Sequence, residues 1–135
     1  MTAKQYLTQA FRMKRTIEIL QEDILRLEAA ATYSSPNLTG MPHNPSPSHS
    51  RMADIVCKII ERKEELQKKL DELAELAAEI QLTIGQMENP DHRAVLYKRY
   101  VESMEWQDIA TTMGYCERQI YRIHAAALRE FVVPA

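Results

Sequence analysis

Apolar and small residues recur along the first third of the chain at Ala3, Tyr6, Ala10, Met13, Ile17, Leu20, Ile24, Leu27 and Ala31, in alternating steps of three and four. That spacing draws a heptad seam on one helix face. It predicts a helix over residues 3–31 with Glu18, Glu22, Asp23 and Arg26 outside the seam. The pattern stops at Thr32–Ser48, where four of the six prolines fall among serines and asparagines. No helix interior tolerates that density of proline, and the stretch has too little apolar surface to fold alone. A flexible loop over 32–49 is expected, with Leu38 and Met41 as residues that fasten its middle against a helix end. The alternation resumes at Met52, Val56, Ile59, Lys63, Leu66, Leu70, Leu73, Ala77, Ile80, Ile84 and Met87, and predicts a second helix over 51–88. Lys63 breaks the apolar set; coiled coils use one such residue to fix register at some cost in stability. Two seams joined by a loop predict a long antiparallel helical hairpin (coiled coil) over residues 1–88.

The helix lengths add a constraint. At about 1.5 Å per residue the first helix is ~43 Å long and the second ~57 Å. With Ala31 opposite Arg51, the second helix overhangs from Ile80 to Glu88, and that apolar overhang needs a cover. Leu7, Phe11, Leu25, Ile55, Ile60 and Leu76 widen the stripe beyond a two-helix contact. Either a homodimer forms through the long helices, or these residues pack on the rest of the same chain.

After Glu88 the pattern changes. Asn89-Pro90-Asp91 is a helix start: asparagine caps, proline at the first helical position removes no hydrogen bond, and the acid suits the positive helix end. A helix over 91–102 is expected, with Ala94, Val95, Leu96 and Tyr100 on its apolar face. Trp106 through Leu128 then reads as helix, tight turn, helix. Ala110 is small where two helices cross, and Gly114 supplies the positive φ for a sharp exit. Ile109, Met113, Ile120 and Ile123 point into one small core that Trp106 closes. This is helix-turn-helix spacing, which gives residues 89–135 as a three-helix DNA-binding unit.

With Ile120, Ile123, Ala127 and Leu128 turned inward, Glu117, Arg118, Gln119, Tyr121 and Arg122 form the outer, amino-terminal part of the second helix. A recognition helix presents that part to base edges in the major groove. Arginine grips guanine and glutamine adenine through paired hydrogen bonds, while Glu117 suits a cytosine amino group and Tyr121 a phosphate or a thymine methyl. Lys98, Arg99 and His124, with backbone N–H groups at helix starts, are the phosphate candidates.

Composition narrows the classes. The chain has 135 residues, three glycines and a net charge of −2, and the segment after Glu88 carries six cations against six anions. Few glycines argue against a β-sandwich and against Rossmann or P-loop chemistry, and an all-α protein is expected. Any nucleic-acid contact must come from locally placed side chains and not from a bulk basic field. Cys57 and Cys116 are far apart, and His43, His49, His92 and His124 lack metal-ligand spacing, so neither a disulfide scaffold nor a metal site is indicated. The amino terminus lacks the apolar core of a signal peptide and no run approaches a membrane span. A cytoplasmic protein without membrane contact is expected. Cys116 sits at a helix start, but His124 is about two turns on and no oxyanion site is evident. Neither an enzyme nor a bound cofactor is expected.

Arg99-Tyr100, then Trp106-x-x-Ile109-Ala110-x-x-Met113-Gly114-Tyr115, then Ile120-Tyr121-Arg122-Ile123-His124-x-x-Ala127-Leu128 resembles small phage and prophage proteins of Gram-positive bacteria. Their carboxy-terminal part is similar to the sigma-factor domain that binds the promoter −35 element. Met1-Thr2-Ala3-Lys4-x-Tyr6-Leu7, the Met41-Pro42 loop and the Met52–Ile59 helix start also fit, so the resemblance covers nearly the whole length. Related late-gene activators of the RinA type imply, by analogy, a transcriptional role in a bacterial host cell. The chain departs from the pattern at Cys116, where serine is usual; cysteine caps a helix poorly, a difference of ~1 kcal/mol. A stand-alone sigma factor is not expected, because the polymerase-binding and melting domains have no room in 135 residues. The expected function is a dimeric, sequence-specific regulator that binds double-stranded DNA at two half-sites. Two other readings stay open: a protein that docks on RNA polymerase or a sigma factor with little direct DNA contact, and a small terminase-like packaging subunit. The latter usually carries its DNA module first, the reverse of this order.

Overall fold

The computed structural model describes residues 1–33 and 45–135, and no strand occurs among them. The protein is all-α. Helix α1 spans Ala3–Tyr33, α2 Pro45–Gly85, α3 Pro90–Leu96, α4 Trp106–Met113 and α5 Glu117–Glu130; a π-helical turn, Tyr97–Val101, follows α3 directly. Residues 34–44 of the expected loop, with Leu38, Met41 and His43, lie outside the described residues. No helix among the described residues is long and apolar enough to cross a membrane.

Helix α1 starts at residue 3 as the heptad pattern predicts, while α2 and the helix after Glu88 depart from their expected bounds for local reasons. Helix α1 begins with a reciprocal cap: the Gln5 N–H donates to Thr2 Oγ1 at 3.2 Å, and the Thr2 N–H donates to Gln5 Oε1 at 2.9 Å, the capping-box arrangement. Helix α2 begins six residues before Arg51, and His49 belongs to it and not to the loop. Pro45 and Pro47 fall in its first turn, where backbone N–H groups have no intrahelical acceptor, so proline removes no bond there. The helix expected over 91–102 starts at Pro90 and widens after Leu96, with the Glu102 N–H donating to Tyr97 O at 3.0 Å. That i→i−5 bond adds a residue to the turn. It keeps Leu96, Tyr100 and Val101 against one core, where an α-helix would carry Val101 away from it.

The chain divides into two compact units, residues 1–14 with 72–135 and residues 15–71. In the second unit α1 and α2 run antiparallel. Ile17, Leu20 and Ile24 are buried, and Arg62 Nε lies 3.0 Å from Asp23 Oδ2 and Lys63 Nζ 3.3 Å from Glu28 Oε1. Lys63 therefore answers an anion on the facing helix. With Asp23 opposite Arg62, Ala31 falls opposite Asp54 and not opposite Arg51. Leu25 and Ile60 remain 64% and 53% exposed, and Val56 and Leu70 are also exposed.

In the first unit the apolar end of α2 is covered by the chain itself. Ile80, Ile84 and Met87 share a core with Tyr6, Leu7 and Ala10 of α1, Leu96 and Tyr100, and Ala127 and Phe131; Phe11 and Leu76 pack against it. The Tyr6 and Phe131 rings lie 5.9 Å apart. Burial of such side chains stabilises by about 1.5–3 kcal/mol each. Of the two coverings left open for the Ile80–Glu88 overhang, intrachain packing is the one present. A second, smaller core of Val95, Ile109, Ala110 and Ile120, flanked by Met104, Trp106, Met113 and Ile123, holds α3, α4 and α5 together.

Candidate nucleic-acid interface

The site lies within residues 1–14 and 72–135, and its frame is the α4–turn–α5 pair. Helix α4 ends at Gly114 with φ 74°, in the left-handed region. The Tyr115 N–H donates to Ala110 O at 3.0 Å, the bond that closes a Schellman-type end. Any Cβ at position 114 would meet open space, so the demand for glycine there is one of backbone conformation and not of room. The Tyr115 hydroxyl donates to Asp91 Oδ2 at 3.1 Å and ties the turn to the start of α3. That start is itself capped, with Asn89 Oδ1 accepting from the Asp91 and His92 N–H groups. Cys116 is the N-cap residue of α5 and makes no side-chain cap bond.

Ile120 and Ala127 are buried under α5, and this inward stripe decides what faces out. Arg118, Gln119, Tyr121 and Arg122 are exposed and Glu117 is half-buried in the first turn. Arg118 and Arg122 are one helical turn apart and project from the same side. The expected phosphate set is placed differently. Lys98 is half-buried on the π turn. The Arg99 guanidinium lies 4.5 Å from the Trp106 ring centroid and 5.2 Å from that of Phe11, and it donates to Met104 O at 2.9 Å. His124 Nε2 meets the Tyr100 hydroxyl at 2.8 Å, and its ring meets that of Trp106 edge-on at 4.7 Å. Burial first, then the charges of Lys4 and Arg99, push the His124 imidazole down to about 4. It is neutral at pH 7 and brings no charge to a phosphate. Arg99 and His124 thus spend their polar atoms inside the unit.

Two supports of the site escaped the sequence reading. Lys14 Nζ donates to Val101 O at 3.3 Å and to Ser103 Oγ. It fastens the turn into α4, where Ser103 sits at φ 58°. Glu130 Oε1 accepts from the Glu88 N–H at 3.0 Å while its other oxygen faces His92 Nδ1; that histidine bond leads in holding the Glu130 carboxyl below its usual range. The Thr2-x-x-Gln5 cap is a signal a sequence carries. The Lys14 and Glu130 contacts join residues dozens of positions apart and have none. Among the described residues no three His, Cys, Asp or Glu gather as a metal site would require.

A family described as a protein of unknown function (DUF1492) matches residues 34–132. No curated protein and no solved structure matches the chain. The match takes in all of α2, α3, α4 and α5, and the chain belongs to the DUF1492 family.

Proposed function

We propose that this protein is a sequence-specific binder of double-stranded DNA that regulates transcription of phage or prophage genes, with α5 as a recognition helix in the major groove. The observation that carries the reading is the exposed Arg118–Arg122 pair on the outer, amino-terminal half of α5, above a helix pair fixed by Gly114 and the Ile109–Ile120 core. The pair fits two guanine edges, and Gln119 beside it suits adenine. The likeness of α4–α5 to the sigma-factor domain that reads the −35 element, and to RinA-type activators, belongs to this reading. Phosphate contacts fall to Lys98 and to N–H groups at helix starts, because Arg99 and His124 are engaged elsewhere. The exposed Leu25, Val56, Ile60 and Leu70 of residues 15–71 are the surface on which a homodimer would form, and light scattering reads that state directly.

The test starts from a random duplex pool enriched on the full chain. Arg118→Ala and Arg122→Ala each weaken binding to the enriched duplex by about 10- to 100-fold, with helicity unchanged. Wild-type affinity falls steeply with salt. Unchanged binding by both variants overturns the assignment.

A second reading, docking on RNA polymerase or a sigma factor, is favoured by a groove of about 560 Å³ that has no α5 residue in its lining. Gln81, Ile84, Arg93, Tyr97, Lys98 and Glu102 are among its lining residues. Recovery of polymerase from nuclease-treated extract by the Arg118→Ala/Arg122→Ala protein supports that reading over direct DNA contact.

A further inference from the structure

We infer that Tyr121 is a specificity-determining residue that reads the 5-methyl group of a thymine, and that Trp106 is the residue that positions it. The inference rests on the proposed DNA-binding reading and goes one step further, to the chemistry of one base.

Tyr121 lies between the two arginines of α5 in sequence and is 47% exposed, so about half of the side chain is covered. The cover is Trp106, with ring centroids 5.2 Å apart and planes at 56°. Tilted packing of this kind is a favourable aromatic geometry and holds a ring in one orientation. Trp106 is itself fixed on two further sides, by the Arg99 guanidinium at 4.5 Å and by the His124 edge at 4.7 Å. Arg99 is backed in turn by Phe11 and anchored on Met104 O. A continuous stack therefore runs from α1 through the π turn and α4 to the outer face of α5.

An exposed tyrosine on a solvated surface needs no such backing. A ring ordered before binding loses little freedom when it meets a partner. Arg118 stands three residues before Tyr121 and so neighbours it on the surface of α5, which sets the uncovered part of an apolar ring beside a hydrogen-bond donor. In the major groove the one apolar group on a base edge is the thymine methyl. A phosphate would instead engage the hydroxyl and would be indifferent to sequence.

The experiment uses the full chain and the duplex that it enriches from a random pool, with each thymine replaced singly by deoxyuridine, which removes the methyl and nothing else. At one thymine of each bound site the replacement weakens wild-type binding about fourfold, the effect of one methyl no longer withdrawn from water. Tyr121→Phe keeps that sensitivity, since the ring carries it. Tyr121→Ala loses it, and because Tyr121 is exposed this variant folds and decides the specificity claim alone. Trp106→Leu reduces the sensitivity below about twofold and Trp106→Phe restores it, while binding through the arginines persists in both. Indifference of the wild type to every replacement, or a Tyr121→Ala protein as sensitive as wild type, overturns the inference. So does a uniform loss on Tyr121→Phe, which assigns the hydroxyl to a phosphate. A Trp106→Leu protein that folds and keeps full sensitivity overturns the positioning role. A wild-type protein that enriches no duplex overturns the DNA-binding reading itself, which separates the two failures.

Discussion

Cys116 opens α5 without using its side chain, leaving the first N–H groups of that helix without a side-chain acceptor. Serine at that position would place an oxygen where the cap needs one. Cys116→Ser is expected to stabilise the protein by about 1 kcal/mol, visible as a higher denaturant midpoint at unchanged slope; a lower midpoint would show that the thiol packs better than it caps. His124 sets the acid side of stability. Its imidazole titrates near 4 in the folded chain against 6.5 when free, so below pH 6.5 the unfolded chain binds the proton first. The stabilisation is full above pH 6.5 and is lost progressively as pH falls toward 4. Thermal melts at pH 7 and pH 5 should differ, and His124→Gln should shrink the difference; an equal difference in the variant would place the acid sensitivity elsewhere. The likelihood that a single sequence exposes such a group is low for a simple reason. Nothing local on α5 marks His124 as neutral: burial first, and then the charges of Lys4 and Arg99, which the chain brings from far away, hold its imidazole down.

At the scale of elements, what could be read from the sequence was what repeats locally. The three-four alternation gave α1 and α2, Asn89-Pro90 gave the start of α3, and Ala110 with Gly114 gave the α4–α5 turn. The π turn was not legible, because nothing in Tyr97–Val101 distinguishes it from α-helix until the core it faces is known. The outer face of α5 followed from its own periodicity, whereas the sandwiching of Arg99 depends on Phe11 and Trp106 together. Lys14 shows how such a long-range tie works. Its ammonium holds the segment between the π turn and α4 through Val101 O and the Ser103 hydroxyl. Lys14→Met keeps the aliphatic stem and removes the donor, and should cost about 1–2 kcal/mol. Amide exchange at residues 101–104 should quicken more than at α5; equal protection in the variant would mean the turn holds itself.

The whole molecule gathers its first core from both ends of the sequence. Leu96, Tyr100, Ala127 and Phe131 are buried by Tyr6, Leu7 and Ala10 from α1 and by Ile80, Ile84 and Met87 from α2. A boundary after Glu88, where the hydrophobic pattern changes period, cuts through that core. The smaller core of Val95, Ile109, Ala110 and Ile120 would survive such a cut, but it is four buried side chains, one of them alanine. Withdrawing Leu96, Tyr100 and Phe131 from water contributes roughly 1.5–3 kcal/mol apiece, a sum comparable with the whole stability of a small domain. A fragment of residues 89–135 is therefore expected to lose cooperative melting and to expose apolar surface to a hydrophobic dye. Its affinity for the duplex enriched on the full chain should fall even though every proposed base-contacting residue is present. Joining residues 1–14 and 72–88 to it through a flexible linker restores the missing half of the core and should bring back a single sharp transition. A fragment of 89–135 that melts cooperatively by itself would show that the smaller core suffices, and that the α1 and α2 residues serve to orient the unit and are not needed to fold it.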